Sequence, residues 1–130
     1  MALKRILIVD DEQRLARMMQ LNLEACGRFE VLIENKGTRA VQVIRTFKPD
    51  FIFLDVKMPD MHGFDVMRYL KADPELSKIP TVFLTAALSR EGPTGNPDSD
   101  DQMIGQYPYL VKPSSTEELI HCIDRHLPFS

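Results

Sequence analysis

Residues whose side chains could take part in catalysis or ligand binding stand at the ends of several short apolar runs of this 130-residue sequence. In chain order they are Asp10, Asp11, Asp55, Thr85 and Lys112. Close carboxylates repel one another unless a cation lies among them, and an all-oxygen set suits Mg²⁺ better than zinc or copper. A magnesium ion, an ammonium and a hydroxyl together suit the oxygens of a transferred phosphoryl group. Asp55 would be the nucleophile, since carboxylates form acyl phosphates.

These residues share a site only if the apolar runs are neighbouring parallel strands. The run Phe51–Leu54 is short, β-branched or aromatic, and bounded by Pro49 and Pro59. That pattern predicts a buried strand with Asp55 at its carboxyl end. Ligands of open α/β sheets bind at that edge.

Five strands alternate with four helices along most of the chain. The predicted strands are Arg5–Val9, Phe29–Ile33, Phe51–Leu54, Thr81–Thr85 and Tyr109–Val111, and the predicted helices are Gln13–Ala25, Thr38–Phe47, Phe64–Lys71 and Thr116–His126. Asp11 stands where the N-cap of the first helix is expected, and Ser114 or Ser115 caps the last. Fully apolar strands that alternate with helices predict a doubly wound parallel α/β sheet covered on both faces. We expect one domain over 1–130, with its core at about 4–127.

Composition and charge argue against several function classes. The net charge is -3, which gives no electrostatic basis for binding nucleic acid or membranes. No apolar run approaches the ~20 residues that span a bilayer. The apolar stretch after the N-terminus is too short for a signal peptide. Cys26 and Cys122 are far apart, so we expect reduced thiols in a cytoplasmic protein.

Four ordered blocks resemble the receiver domain of bacterial two-component response regulators. They are Ile6–Glu12, Phe53–Phe64, Pro80–Ala86 and Tyr109–Pro113, and the resemblance extends over about Lys4–Leu127. It implies a CheY-like, flavodoxin-like fold with strand order 2-1-3-4-5.

The resemblance also implies roles for the acidic residues. Asp55 would accept a phosphoryl group from a histidine kinase or a phosphotransfer protein. Asp10 and Asp11 would hold Mg²⁺, with Asp55 and the backbone carbonyl of Lys57 as further ligands. Such a protein is no enzyme for external substrates; it catalyses only its own phosphorylation and dephosphorylation. The cationic side chain of Lys57 leads us to hypothesise that the phosphorylated protein loses its phosphoryl group slowly.

Three further residues would act as catalytic partner and switch. The resemblance implies that Lys112 pairs with the phosphoryl oxygens and that Thr85 moves to hydrogen-bond the phosphoryl group. Tyr109 stands where an aromatic swings inward on activation; its alternative role is ordinary packing. The face Leu88–Leu127 would then change for a downstream protein partner. The Lys112–Pro113 bond is expected to be cis.

One segment departs from the family's usual pattern. Leu88–Pro108 is long and rich in Gly and Pro, so we expect the family's fourth helix, which precedes the fifth strand, to be irregular or shortened here, with at most a turn or two over Ser99–Ile104. The family's common dimer mode depends on that helix, which leaves a homodimer open. Two alternative functions also stay open: a phosphorylation-independent interaction module of the same fold, and the receiver fragment of a longer regulator with an output domain.

Overall fold

A single sheet runs through the molecule with helices on both faces. The computed structural model describes residues 3–86, 103–104, 107–112 and 115–127. The strands are β1 (Lys4–Val9), β2 (Phe29–Glu34), β3 (Phe51–Asp55), β4 (Thr81–Thr85), β5 (Met103–Ile104) and β6 (Tyr107–Val111). The helices are α1 (Gln13–Ala25), α2 (Gly37–Phe47), α3 (Gly63–Ala72) and α4 (Thr116–His126), with a short 3-10 turn at Leu76–Lys78.

The strand order confirms the predicted topology. The sheet runs β2-β1-β3-β4-β6-β5, and the first five of these are parallel to one another. Because β6 contains the fifth predicted strand, this is the order 2-1-3-4-5 of a flavodoxin-like fold. Because these strands are parallel, their polar carboxyl ends lie at one edge of the sheet, and the order reverses there between β1 and β3.

An additional edge strand was not predicted. β5 has two residues and pairs antiparallel with the start of β6, where Met103 lies opposite Pro108. The helical turn expected over Ser99–Ile104 is therefore wrong at 103–104. Two apolar residues are too few to show an alternating pattern, so only pairing with β6 identifies this strand. The rest of the prediction for Leu88–Pro108 falls largely outside the described residues, as does the expected cis bond to Pro113.

Alternate residues of the strands supply two separate cores. Ile6 and Ile8 pack on the side of α1 and α4, whereas Leu7 and Val9 pack on the side of α2 and α3. All four are fully buried. Since successive strand residues point to opposite faces, an entirely apolar strand is what a sheet covered on both sides requires. Among the helices of the described residues, none has the length and apolar composition needed to cross a membrane.

The ends of two helices differ in how they are capped. Ser115 caps α4 with a complete capping box, accepting from the Glu118 amide while the Glu118 carboxylate accepts from the Ser115 amide. This confirms one of the two predicted caps. The N-cap of α1 is Glu12 rather than Asp11, and its side chain makes no capping hydrogen bond. The carboxylate of Glu12 is instead paired with the Lys112 ammonium.

Candidate functional site

Three carboxylates meet at the carboxyl edge of the sheet. Val9 lies opposite Leu54 in the β1–β3 ladder, so the residues that follow, Asp10 and Asp55, are neighbours. Oxygens of Asp10, Asp11 and Asp55 lie within 4.8 Å of one another, a spacing at which they could hold a metal ion. The arrangement brings together three of the residues predicted to share a site.

Lys112 lies against the buried part of this cluster. Its backbone N–H donates to the Thr85 carbonyl oxygen at 2.7 Å, which fixes the residue directly after β6 beside β4. Its Nζ lies 3.1 Å from Oδ2 of Asp10 and 3.2 Å from Oδ1 of Asp55. Asp10, Asp55 and Lys112 are 0%, 3% and 6% exposed, respectively. Buried charges persist only when paired, and here the pairing is direct.

The pKa values of these groups reflect their burial and the excess of negative charge around them. Burial, the charge of Asp10 and a hydrogen bond to Asp11 raise the pKa of Asp55 to about 7, against the opposing effect of Lys112. Burial also raises the pKa of Asp10, although the Glu12 amide and Lys112 oppose it. Burial tends to lower the pKa of Lys112, but the hydrogen bond to Glu12 and the charges of Asp10 and Asp55 outweigh it and raise the pKa. One ammonium does not balance the carboxylates, so a further cation fits this donor set.

Thr85 lies at the same edge but is not bonded to the acidic cluster. In β4 it follows Leu84, the residue opposite Asp55, and it pairs with Val111 of β6. Its hydroxyl donates to the Ala86 carbonyl oxygen at 3.4 Å, and within the described residues no hydrogen bond joins it to Asp55. The hydroxyl is near the site in the fold, and its predicted movement towards a phosphoryl group stays a prediction.

Tyr109 is a core residue in this structure. It is 5% exposed, lies opposite Phe83 in the β4–β6 ladder and packs on the α2–α3 side of the sheet. Lys57, by contrast, has an exposed side chain in the loop that follows β3, with no ion pair to any described residue. The inward movement of Tyr109 and the metal contact of the Lys57 carbonyl stay predictions.

Sequence reasoning missed Glu12 as part of the site. Its Oε1 lies 2.9 Å from Nζ of Lys112, the shortest ion pair that the lysine makes. Its amide also donates to Oδ1 of Asp10 at 2.9 Å. Glu12 belongs to the first sequence block that carries the family resemblance, which was the available signal.

Other missed residues hold the loops around the cluster in place. The Asn35 amide group donates to the Asp10 carbonyl oxygen at 2.9 Å. Asp60 accepts from the Gly37 and Thr38 amides, at 3.2 and 3.0 Å, and thereby holds the start of α2. At Gly63, a Cβ would collide with the backbone oxygen of Asp55. Asp60 and Gly63 lie within the second sequence block, whereas nothing in the sequence singles out Asn35.

The chain matches known proteins over nearly all of its length. The model of the response regulator receiver domain family matches residues 6–124. The DNA-binding response regulator MtrA of Mycobacterium leprae is 36% identical over 121 residues, covering 90% of this chain and 48% of that protein. This chain thus spans about half the length of the MtrA proteins it matches. The polar-differentiation response regulator DivK of Brucella anthropi is 29% identical over 127 residues, covering 95% of this chain and 96% of that protein.

Solved structures agree with this family assignment. A putative response regulator from Chloroflexus aurantiacus superposes with a TM-score of 0.76 at 28% identity, covering 95% of this chain and 97% of that one. The chemotaxis protein CheY4 of Vibrio cholerae gives a TM-score of 0.76 at 26% identity, covering 97% and 100%. With its fold, its acidic edge and these relatives together, the chain belongs to the receiver domain family of two-component response regulators.

Proposed function

We propose that this receiver accepts a phosphoryl group on Asp55 in a Mg²⁺-dependent reaction. The observation that carries the proposal is the position of Asp55 at the end of β3, within 4.8 Å of two further carboxylates and ion-paired to Lys112. The donor is a sensor histidine kinase or a phosphotransfer protein, as is usual for the family.

The donor set suits a magnesium ion. Asp10, Asp11 and Asp55 would be its carboxylate ligands, and the Lys57 carbonyl a further one. Hard oxygen ligands with room for water are what Mg²⁺ prefers. When bound, the ion neutralises charge on the oxygens of the transferring phosphoryl group.

Asp55 performs the bond-making step. One of its carboxylate oxygens forms a bond to phosphorus while the bond from phosphorus to the donor's imidazole nitrogen breaks, and that nitrogen keeps the electron pair. Lys112, already 3.2 Å from Oδ1 of Asp55, donates to a phosphoryl oxygen as charge builds there. Hydrolysis of the acyl phosphate by water releases inorganic phosphate and restores the carboxylate, so the only acceptor that the chain modifies is its own Asp55.

Thr85 and Tyr109 would transmit the modification. A phosphoryl group offers Thr85 a charged acceptor in place of its 3.4 Å bond to the Ala86 carbonyl oxygen. That difference in contacts favours one of two conformations. Tyr109 lies in β6 opposite Phe83, two residues before Thr85 in β4, and the proposal makes its packing the element that responds. The responding face, Leu88–Leu127, would bind a downstream protein.

The setting of this reaction is also part of the proposal. We place the protein in the cytoplasm, where sensor kinases phosphorylate their regulators. This chain covers 48% of MtrA and 96% of DivK, so its relatives include longer proteins as well as proteins of about this length. A phosphorylation-independent module would not need the paired Asp55 and Lys112.

Intact-protein mass spectrometry tests the proposal. After incubation with acetyl phosphate and Mg²⁺, the parent should gain the mass of one phosphoryl group, and Asp55→Asn should not. Asp65→Asn is the matched control, because Asp65 is bonded to Arg68 on α3, away from the cluster. Chelation of Mg²⁺ should abolish the gain. An unmodified parent, or an Asp55→Asn variant modified to the same extent, would overturn the assignment.

A further inference from the structure

The ammonium of Lys112 is shared among three carboxylates. Nζ lies 2.9 Å from Oε1 of Glu12, 3.1 Å from Oδ2 and 3.3 Å from Oδ1 of Asp10, and 3.2 Å from Oδ1 of Asp55. An ammonium has three N–H donors, whereas four oxygens surround it here. A gain in one of these contacts therefore comes at the expense of another.

Glu12 differs from the other partners of Lys112. Its side chain is 56% exposed, whereas those of Asp10 and Asp55 are 0% and 4% exposed. It does not belong to the group of three carboxylates that could hold a metal ion. It is the N-cap residue of α1 yet makes no side-chain cap. The side chain thus serves neither the helix end nor the metal cluster, and its contact is with Lys112.

We propose that Glu12 is a positioning residue that competes with Asp55 and its phosphoryl group for the Lys112 ammonium. This inference rests on the proposed phosphorylation of Asp55. In the free protein the shortest contact of the Lys112 ammonium is to Glu12, at the open side of the site. During transfer, charge on the phosphoryl oxygens must draw the ammonium away from that partner. The carboxylate of Glu12 thereby restrains the rate of transfer.

Loss of the competing charge should accelerate phosphorylation. In Glu12→Gln, the side chain keeps its length but pairs with the ammonium only as a neutral group. An exposed ion pair is weak, so we expect the rate constant at saturating acetyl phosphate to rise by about two- to fivefold. The half-saturating donor concentration should stay unchanged, because Glu12 acts on Lys112 rather than on the donor.

Two further variants separate contact from charge. Glu12→Asp keeps the charge but is one methylene shorter, so it should lose the contact and behave like Glu12→Gln. Glu34→Gln removes a carboxylate from the end of β2, at the same sheet edge, where Glu34 accepts from the Lys36 amide. That variant should react like the parent.

The experiment measures initial phosphorylation rates by intact-protein mass over a range of acetyl phosphate concentrations at fixed Mg²⁺. Thermal unfolding of each variant checks that the fold is retained. An unchanged or slower Glu12→Gln variant would overturn the inference, and so would a parent-like Glu12→Asp, which would point to charge alone. A parent that takes up no phosphoryl group would sink both proposals, whereas a reactive parent with an unresponsive Glu12→Gln sinks only this one.

Discussion

Nζ of Lys112 lies 3.2 Å from Oδ1 of Asp55, and both side chains are almost completely buried. The two residues are supplied by β3 and by the end of β6, with β4 between them in the sheet. Their ion pair spans that intervening strand. The ion pair makes the charge state of either residue dependent on the other.

Replacement of Lys112 by Met should suppress phosphorylation. Met occupies a similar volume without the charge, so phosphoryl oxygens would lose their ammonium partner. Removing one preorganised donor of this kind typically costs about 10²–10³ in rate. The measurement is the acetyl phosphate reaction followed by mass. Lys78→Met, at an exposed 3-10 turn, is the control, and equal rates for parent and Lys112→Met would contradict the assigned role.

The stability of the metal-free protein should fall between about pH 4 and pH 7. The pKa of Asp55 is raised from 3.8 to about 7, so in this window the folded protein binds more protons than the unfolded chain. Stability declines with rising pH wherever that is true. The parent should therefore lose free energy of unfolding as pH rises, as measured by urea denaturation without Mg²⁺.

Asp55→Asn supplies the matched control for this pH dependence. The amide cannot ionise, so the variant should show a flatter profile from pH 4 to pH 7. Mg²⁺ should also stabilise the parent more at pH 8 than at pH 5, because protons compete with the ion for the carboxylates. Parallel pH profiles for the two proteins would refute the raised pKa.

Asp60 should stabilise the start of α2. It accepts from two backbone amides there, and its Oδ2 also accepts from the Thr38 hydroxyl at 2.9 Å. These hydrogen bonds replace a local N-cap, so Asp60→Ala should cost about 1 kcal/mol of the free energy of unfolding. Those amides also lower the pKa of Asp60, so its contribution should disappear as pH falls below about 4. Urea denaturation measures both effects, and Asp65→Ala is the comparison.

Gly63→Ala should perturb the site through the backbone of Asp55. A Cβ at this position would meet the Asp55 carbonyl oxygen, an atom fixed within the sheet. Overpacking against fixed atoms typically costs about 1–3 kcal/mol, and here the displaced residue is the proposed phosphoacceptor. We expect a lower unfolding midpoint together with slower phosphorylation.

Gly27→Ala is a control variant that introduces backbone strain without a collision at the site. Gly27 has a φ of 80°, which favours glycine, but a Cβ there meets no neighbouring atom. This variant should lose stability without a change in phosphorylation rate. If Gly63→Ala behaved in the same way, the proposed link between Gly63 and Asp55 would be wrong.

Lys57 should prolong the lifetime of the phosphorylated protein. It follows Asp55 by two residues, and its side chain is exposed. An ammonium close to the phosphoryl group would hinder or misdirect the hydrolytic water. Lys57→Ala should therefore lose phosphate faster than the parent after removal of the donor, whereas Lys36→Ala should not. An unchanged lifetime in Lys57→Ala would dispose of the idea.

The fold and the carboxylates gathered at the site could be predicted from the sequence. Apolar strands between amphipathic helices leave few arrangements besides a parallel sheet covered on both sides, and such a sheet collects Asp10 and Asp55 at one edge. These features depend on local periodicity and on topology rules, which a linear pattern can express.

The side-chain contacts around the site could be identified only in the folded structure. The ion pair of Glu12 with Lys112 joins residues 100 positions apart, and Asp60 supplies an N-terminal cap to a helix 22 residues before it. No role was predicted for Glu12 from the sequence, and β5 has too few residues to show an alternating pattern. Such contacts depend on which side chains the folded backbone brings within about 3 Å of one another, and no local pattern encodes that distance.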